Sequence, residues 1–220
     1  MRIALIHALT HSIAPINDAF AQMWPAAARV NLLDDSLSAD LAASHGLLDE
    51  AMHQRFLTLA DYAVDLGADA ILFTCSAFGS CIERVAQKHA HVPVLKPNEA
   101  MISEAVARTR GTGQPIGLIA SFAATLVSMP AEFPATAQPI TELVEDAMCA
   151  LNAGDTAVHD ASVVAAALRL KARGAGVIAL AQFSMARAAA AVAQATGLPV
   201  LTTPTTAIRL LQQRLGVAQT

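Results

Sequence analysis

The sequence has few aromatic residues, few charged residues and no long apolar run. Aromatic side chains make up 4% and charged side chains 15% of the 220 residues, whereas hydrophobic residues make up 55%. No apolar stretch reaches the roughly 18 residues that a membrane-spanning helix needs. Residues 1–6 have the pattern of a strand rather than of a signal peptide. These absences predict a compact protein that neither spans a membrane nor carries an export signal.

A cluster of basic residues is also absent, and the net charge is −4. Binding to a phosphate backbone needs Lys and Arg gathered on one face, so we expect no nucleic-acid partner. We expect no metal site among the seven histidines, and the chain has no glycine-rich loop of the kind that binds nucleotides. The sequence leaves the oligomeric state open, and a homo-oligomer is compatible with it.

The three cysteines, Cys75, Cys81 and Cys149, have neither a zinc-site spacing nor a C-x-x-C spacing. An odd number of cysteines without such a motif is typical of free thiols in a reducing compartment, which predicts a cytoplasmic protein. Cys81 and Cys149 fall within predicted helices, so we expect both to be buried structural residues.

What the sequence does contain is a near repeat. The segment GADAILFTC, residues 67–75, lines up with GAGVIALAQ, residues 174–182, and VAQ recurs at the same spacing at 85–87 and 192–194. The two copies differ at their last position, where Cys75 corresponds to Gln182. A duplicated chain whose copies disagree at this position predicts a site that is chemically asymmetric.

Apolar runs of strand length alternate with stretches of helix length along both halves. This alternation predicts an α/β fold of two pseudo-symmetric lobes, 1–112 and 113–220, each a mainly parallel sheet flanked by helices, with the active-site cleft between them. We expect the last helix, 205–215, to cross back to the first lobe. We also expect a strand at 137–140, helices at 142–151 and 162–173, and Asn98 and Asp160 as helix N-caps.

Polar residues directly follow four of the predicted strands, where ligands of parallel sheets bind. They are His7 and Thr10, then Thr74, Cys75 and Ser76, then Ser121 and Thr125, and finally Gln182 and Ser184. We expect the macrodipole of the helix after Cys75 to lower the pKa of its thiol and make it a nucleophile or a base. The hydroxyls can hold a carboxylate or cap helices, and His7 can line the site or serve a structural hydrogen bond.

These motifs resemble the aspartate/glutamate/hydantoin racemase superfamily, in the branch with maleate isomerase and arylmalonate decarboxylase. The resemblance rests on FTCSAFG around Cys75, on VPV at 92–94 and on IALAQFSMA around Gln182. It covers nearly the whole chain and implies two duplicated lobes and catalysis without a cofactor at the α-carbon of a small carboxylate. Two-base racemases of this superfamily carry a cysteine at each junction, and Cys75 matches the first of them.

Gln182 stands where the second cysteine is expected, and a glutamine has no useful acid–base pKa. The departure lowers the expectation of two-base racemisation and favours reactions that need one thiol: decarboxylation with protonation by Cys75, isomerisation through a covalent adduct, or hydrolysis. A second hypothesis from another class is a carboxylate-binding or redox-sensing protein that has lost turnover.

Overall fold

The chain forms two compact units in the computed structural model, which describes residues 1–217. One unit contains Met1–Glu99 and the segment that starts at Ala207, and the other contains Ala100–Thr206. The final helix contributes to both units, because its first four residues belong to the second unit and the rest to the first. The last positions of the predicted second lobe, 218–220, lie outside the described residues.

The first unit contains a four-stranded parallel sheet in the order β2-β1-β3-β4. Its strands are β1 (Arg2–His7), β2 (Ala28–Leu33), β3 (Ala70–Phe73) and β4 (Val94–Leu95). Its helices are α1 (Ile13–Met23), α2 (Ser36–Ala43), α3 (Glu50–Asp65) and α4 (Gly79–Lys88). Strand β3 is buried along its whole length, which explains its uninterrupted apolar sequence.

One face of this sheet packs on α2, α3 and α4 through aromatic side chains. The ring of Phe56 lies 5.3 Å from that of Phe73 and 4.8 Å from that of Phe78, measured between centroids. Helix α3 begins where the Asp49 carboxylate accepts a hydrogen bond from the backbone N–H of Met52 at 2.8 Å. These contacts anchor the segment that leaves β3 and carries Cys75.

The second unit repeats this topology, with a parallel sheet in the order β6-β5-β7-β8. Its strands are β5 (Ile116–Ala120), β6 (Ile140–Leu143), β7 (Val177–Leu180) and β8 (Val200–Thr202). The remaining helices are α5 (Glu99–Thr109), α6 (Ala123–Ser128), α7 (Glu145–Asn152), α8 (Thr156–Ala172), α9 (Ala189–Thr196) and α10 (Thr203–Arg214). Two parallel sheets with helical layers confirm the predicted α/β class and the structural duplication.

Apolar side chains cover both faces of the second sheet. Ile119, Ile178 and Leu180 pack against α7, α8 and α9. On the opposite face, Leu118 and Ala179 belong to a cluster that includes residues of α5. Burial on both faces accounts for the near-continuous apolar sequence of β5 and β7.

Several predicted boundaries in the second unit are wrong. The strand expected at 137–140 runs instead over Ile140–Leu143, and a short 3₁₀ helix occupies Ala135–Ala137. Pro139 has no N–H to donate to a strand ladder, and the strand starts directly after it. The helix expected from position 142 therefore begins only at Glu145.

Helix α8 starts earlier than predicted, so Asp160 is not an N-cap. The Asp155 carboxylate caps the helix by accepting a hydrogen bond from the N–H of Val158 at 3.0 Å. Asp160 lies inside the helix and binds the guanidinium of Arg187 at 2.9 Å and Nδ1 of the buried His159 at 2.7 Å. These contacts tie α8 to the 3₁₀ helix Phe183–Ala188, which follows Gln182.

Candidate functional site

Cys75 lies at the carboxyl edge of the first sheet, two residues beyond β3. Hydrogen bonding to β1 continues as far as Thr74, whose N–H donates to the carbonyl of Ile6 at 3.0 Å. Cys75 is extended, with φ −127° and ψ 124°, and a 3₁₀ helix of three residues, Ser76–Phe78, separates it from α4. The residue is half-buried, so the chain places its thiol at the strand end that parallel sheets use for ligands.

Burial raises the pKa of the Cys75 thiol above its ordinary value of 9.0, and a hydrogen bond from the backbone of Ala77 lowers it by less. The prediction of a lowered pKa is therefore wrong. A helix dipole acts mainly within the first turn, and α4 begins only at Gly79. Desolvation of the thiolate consequently outweighs the field of the helix, and the thiol is protonated at neutral pH.

The other two cysteines differ from each other. Cys81 is buried in the core of the first unit, as predicted, and burial raises the pKa of its thiol to about 11. Cys149 is exposed, so the expectation of a buried structural residue is wrong for it. It lies on the solvent-facing side of α7, whose buried positions are Ala147, Met148 and Leu151.

His7, the last residue of β1, forms hydrogen bonds towards both neighbouring strands. Its Nδ1 lies 2.9 Å from Oγ1 of Thr74, beyond β3, and its Nε2 lies 3.0 Å from Oδ1 of Asn31, in β2. The side chain is fully buried. Both ring nitrogens are therefore occupied by protein groups, and His7 contacts Thr74, the residue directly before Cys75.

The backbone carbonyl of Ile13 determines the hydrogen-bond directions in the network around His7. Nδ2 of Asn17 donates to the carbonyl of Ile13 at 2.8 Å, which fixes the orientation of its amide. The same nitrogen lies 2.9 Å from Asn31, so the Asn31 atom must be the acceptor Oδ1. His7 therefore donates from Nε2 to that oxygen.

The neutral form of His7 is consistent with this arrangement. Burial lowers the pKa of His7 below 6.5, and the hydrogen bond with Asn31 offsets only part of that effect. A neutral ring that carries its proton on Nε2 accepts at Nδ1. The hydroxyl of Thr74 accordingly donates to His7, and its proton is not available to a bound anion.

Thr10 and Ser76 lie at the same edge of the first sheet. Thr10 starts the 3₁₀ helix Thr10–Ser12 after β1 and is exposed, whereas Ser76 is half-buried beside Cys75. These two hydroxyls are more open to solvent than that of Thr74, which is 4% exposed.

Ser121 and Gln182 are bonded to each other at the carboxyl edge of the second sheet. The backbone N–H and the hydroxyl of Ser121 both donate to Oε1 of Gln182, at 2.5 and 2.9 Å. The two residues follow the neighbouring strands β5 and β7. Thr125 and Ser184, predicted for the same edge, are both about 5% exposed. The structure thus brings Ser121 and Gln182 together and largely buries Thr125 and Ser184.

Sequence reasoning missed the polar residues that support these junctions. Asn17 and Asn31 are separated along the chain and carry no motif, so only the pairing of β1 with β2 reveals their role. Asn98 was expected as an N-cap, but its buried amide has no hydrogen-bond partner in the described part of the chain, and the same holds for the hydroxyl of Thr203. Both residues follow edge strands, β4 and β8, at the ends that also carry the candidate residues.

A depression of about 610 Å³ lies in the second unit, away from these residues. Thr109, Arg110, Gln114 and Ile116 contribute to its lining, so it opens at the amino end of β5. Ser121 and Gln182 follow the opposite ends of their strands. The depression is therefore not part of the candidate site. Among residues 1–217, no group of three or more His, Cys, Asp or Glu side chains could hold a metal ion.

No helix within the described residues combines the length and the apolar character needed to cross a bilayer.

A comparison with curated proteins gave no match. Solved structures with the same fold include an allantoin racemase from Klebsiella pneumoniae, with 17% identity, a TM-score of 0.73, and 100% of this chain and 90% of that chain covered.

Two further solved structures extend the comparison. An aspartate racemase from Picrophilus torridus has 13% identity and a TM-score of 0.69, with 100% of this chain and 96% of that chain covered. The Gly74Cys mutant of arylmalonate decarboxylase has 15% identity and a TM-score of 0.65, with 99% and 95% covered. A sequence model of the Asp/Glu/Hydantoin racemase family matches residues 10–211, so the chain belongs to this family.

Proposed function

We propose that the protein is a cofactor-independent enzyme that acts at the α-carbon of a small carboxylate, with Cys75 as its one acid–base group. The observation that carries this proposal is the position of the Cys75 thiol, two residues beyond a buried strand of a racemase-family fold. Gln182, at the corresponding strand end of the second unit, offers an amide that neither gains nor loses a proton near neutral pH.

A protonated thiol suits the role of an acid better than that of a resting base. In a decarboxylation, the bond between the α-carbon and a carboxyl group breaks, CO₂ leaves, and the electron pair passes into an enediolate. The thiol of Cys75 then donates its proton to the α-carbon, and water restores the proton to sulfur. The raised pKa keeps the thiol loaded with this proton across the neutral range.

Removal and return of an α-proton by the same thiol is another reaction open to a single group. Because one thiol reaches one face of the carbanion, we expect exchange with solvent to preserve the configuration. The similar structures include racemases and a decarboxylase, and their activities support this range of reactions for the present chain.

Hydroxyls and backbone N–H groups near the strand ends are the proposed carboxylate contacts. The exposed Thr10 and the half-buried Ser76 are proposed at the first sheet, and the buried Thr125 and Ser184 at the second. The two donors of Ser121 are already engaged by Gln182, so for Ser121 we propose that it holds the Gln182 amide in place. For Thr74 and His7 we propose a positioning role, because each uses its hydrogen bond to hold the other. The proposed location is the cytoplasm.

A binding or redox-sensing protein without turnover is the second candidate. It is favoured by the absence of an acid–base group at position 182. The raised pKa of Cys75 favours a binding protein over a redox sensor, because the thiolate is the form that is oxidised. Such a protein would bind small carboxylates without exchanging or releasing any of their atoms.

Incubation of the protein with a panel of α-substituted mono- and dicarboxylates in deuterated water tests the proposal. We expect deuterium at the α-carbon or release of CO₂ with the wild type and with Cys149→Ser, which changes an exposed thiol. Cys75→Ala is expected to remove the activity and to retain the circular dichroism spectrum. Full activity in Cys75→Ala would refute the assigned role, and binding without exchange in the wild type would favour the second candidate.

A further inference from the structure

The orientation of the Gln182 amide follows from its contact with Ser121. A backbone N–H can only donate, so the Gln182 atom 2.5 Å from the Ser121 nitrogen must be the amide oxygen. The Ser121 hydroxyl donates to the same oxygen at 2.9 Å. Two donors on one oxygen hold the amide plane, and the amide nitrogen Nε2 therefore points away from Ser121.

The backbone around Gln182 is held as firmly as its side chain. The residue is extended, with φ −129° and ψ 145°, and its carbonyl accepts a hydrogen bond from the N–H of Met185 at 3.1 Å. Phe183 and Ser184, which follow it, are buried. Because hydrogen bonds hold both the backbone and the amide oxygen of Gln182, its side chain is preorganised and loses little conformational entropy when it binds a ligand.

Nε2 carries two donor hydrogens that have no acceptor within the second unit. Gln182 is half-buried, and its neighbours at this sheet edge include Thr203, which follows β8. The buried hydroxyl of Thr203 has no hydrogen-bond partner among residues 1–217. Strands β7 and β8 are paired through Leu180 and Thr202. The edge therefore combines a fixed, open donor with a buried hydroxyl whose hydrogen-bonding capacity is unused.

We propose that Gln182 is a substrate-specificity residue that donates from Nε2 to an oxygen of the ligand, either a carboxylate oxygen or an amide carbonyl. The position corresponding to a cysteine in two-base relatives would then recognise an oxygen acceptor rather than move a proton. The identity of this ligand as a substrate rests on the proposed function, but its binding does not. The amide is neutral throughout the accessible pH range, so its contribution to affinity is constant between pH 5.5 and 8.

Titration with malonate, followed by NMR on protein labelled with ¹⁵N-glutamine, tests this inference directly. The signal pair of the Gln182 side-chain NH₂ is assigned by its loss in Gln182→Ala. We expect malonate to shift this pair in the wild type, and calorimetry to give an affinity that changes little between about pH 7 and 8, where malonate is fully ionised. n-Propylammonium, which has donors and no acceptor oxygen, is expected to leave the signals unchanged.

Three variants distinguish hydrogen-bond donation by Nε2 of Gln182 from other effects of a substitution. Gln182→Glu keeps an oxygen for Ser121 but removes the donor, and we expect its affinity for malonate to fall at least 100-fold. Gln182→Ala is expected to lose roughly 10- to 100-fold, as for a hydrogen bond to a charged group. Gln194→Glu, which makes the same charge change at an exposed position of α9, is expected to bind like the wild type.

Two results would overturn the inference. One is equal or tighter malonate binding by Gln182→Ala, which would mean that Gln182 merely occupies the donors of Ser121. The other is a Gln182 signal pair that does not respond to saturating malonate. Cys75→Ser is expected to preserve the response, so a failure of the proposed catalysis would leave this binding result standing and would be recognised separately.

Discussion

His7 gives the sharpest prediction about the first unit, because it is buried in the neutral form between Thr74 and Asn31. Its pKa is lowered from 6.5 in the folded state. The unfolded chain therefore takes up a proton more readily than the native protein as the pH falls below about 6.5. Stability contributed by neutral His7 is fully present above this pH and is lost below it.

The size of the effect has an upper limit that does not depend on the folded pKa. One group that titrates only in the unfolded state, with a pKa of about 6.5, lowers the free energy of unfolding by at most about 1.4 kcal/mol between high pH and pH 5.5. Two carboxyl groups of the first unit shift in opposite directions. The Lys88 ammonium holds the pKa of Asp61 below its usual 3.8, whereas burial raises the pKa of Glu99 above its usual 4.5. The contribution of His7 is therefore measured as the difference between the wild type and His7 variants, which retain both carboxyl groups.

The assay is urea unfolding at pH 7.5, 6.5 and 5.5, followed by tryptophan fluorescence. Trp24 is the one tryptophan in the sequence and is buried in the same unit as His7, so its emission reports the relevant unit. We expect the free energy of unfolding of the wild type to fall by up to about 1.4 kcal/mol as the pH is lowered. His7→Asn removes the titrating ring, so its free energy of unfolding should depend less on pH. His7→Gln is a second non-titrating variant. Equal pH dependence in all three proteins would refute the assigned protonation state.

Three further predictions concern thiol reactivity, core space and helix capping. Iodoacetamide at pH 7 should modify exposed Cys149 well before Cys75, whose pKa is raised, and peptide mass spectrometry would show faster Cys75 labelling if the thiol were ionised. Gly117→Ala should lower the free energy of unfolding by about 1–3 kcal/mol, because the new methyl group would lie 3.0–3.2 Å from three core side chains. Gly79→Ala meets no atom within 4 Å and is its control, and similar stability of the two variants in urea would contradict this packing. Asp49→Ala should cost about 1 kcal/mol by loss of the α3 cap, and an unchanged unfolding midpoint would show that the cap contributes nothing.

The fold was largely predictable because its signals are local. The buried strands β3 and β7 are short apolar runs that follow a glycine turn. Gly67 follows α3 with a φ of +73°, a conformation that glycine adopts readily because it has no side chain. The strand near Pro139 was misplaced because apolar content alone does not show where a hydrogen-bond ladder begins. The start of α8 was misplaced because two aspartates compete as caps, and only the folded chain shows that Asp155 makes the bond.

The positions of the candidate residues at strand ends follow from the sequence, whereas the chemical state of their side chains does not. The position of Cys75 after a strand follows from the sequence, but the state of its thiol depends on how far it is desolvated, which the sequence does not express. The direction of the hydrogen bond from Thr74 to His7 depends on Asn31 and Asn17, which are distant in the chain.

The stereochemical course of the reaction is the most direct test of a single acid–base group at Cys75. The substrate found in the carboxylate panel is converted in deuterated water, and the configuration at the labelled α-carbon is determined by chiral chromatography and NMR. We predict one deuterium in one configuration from the first turnover onward. Deuterium delivered to both faces at comparable rates would require a second proton-transfer group and would contradict the account.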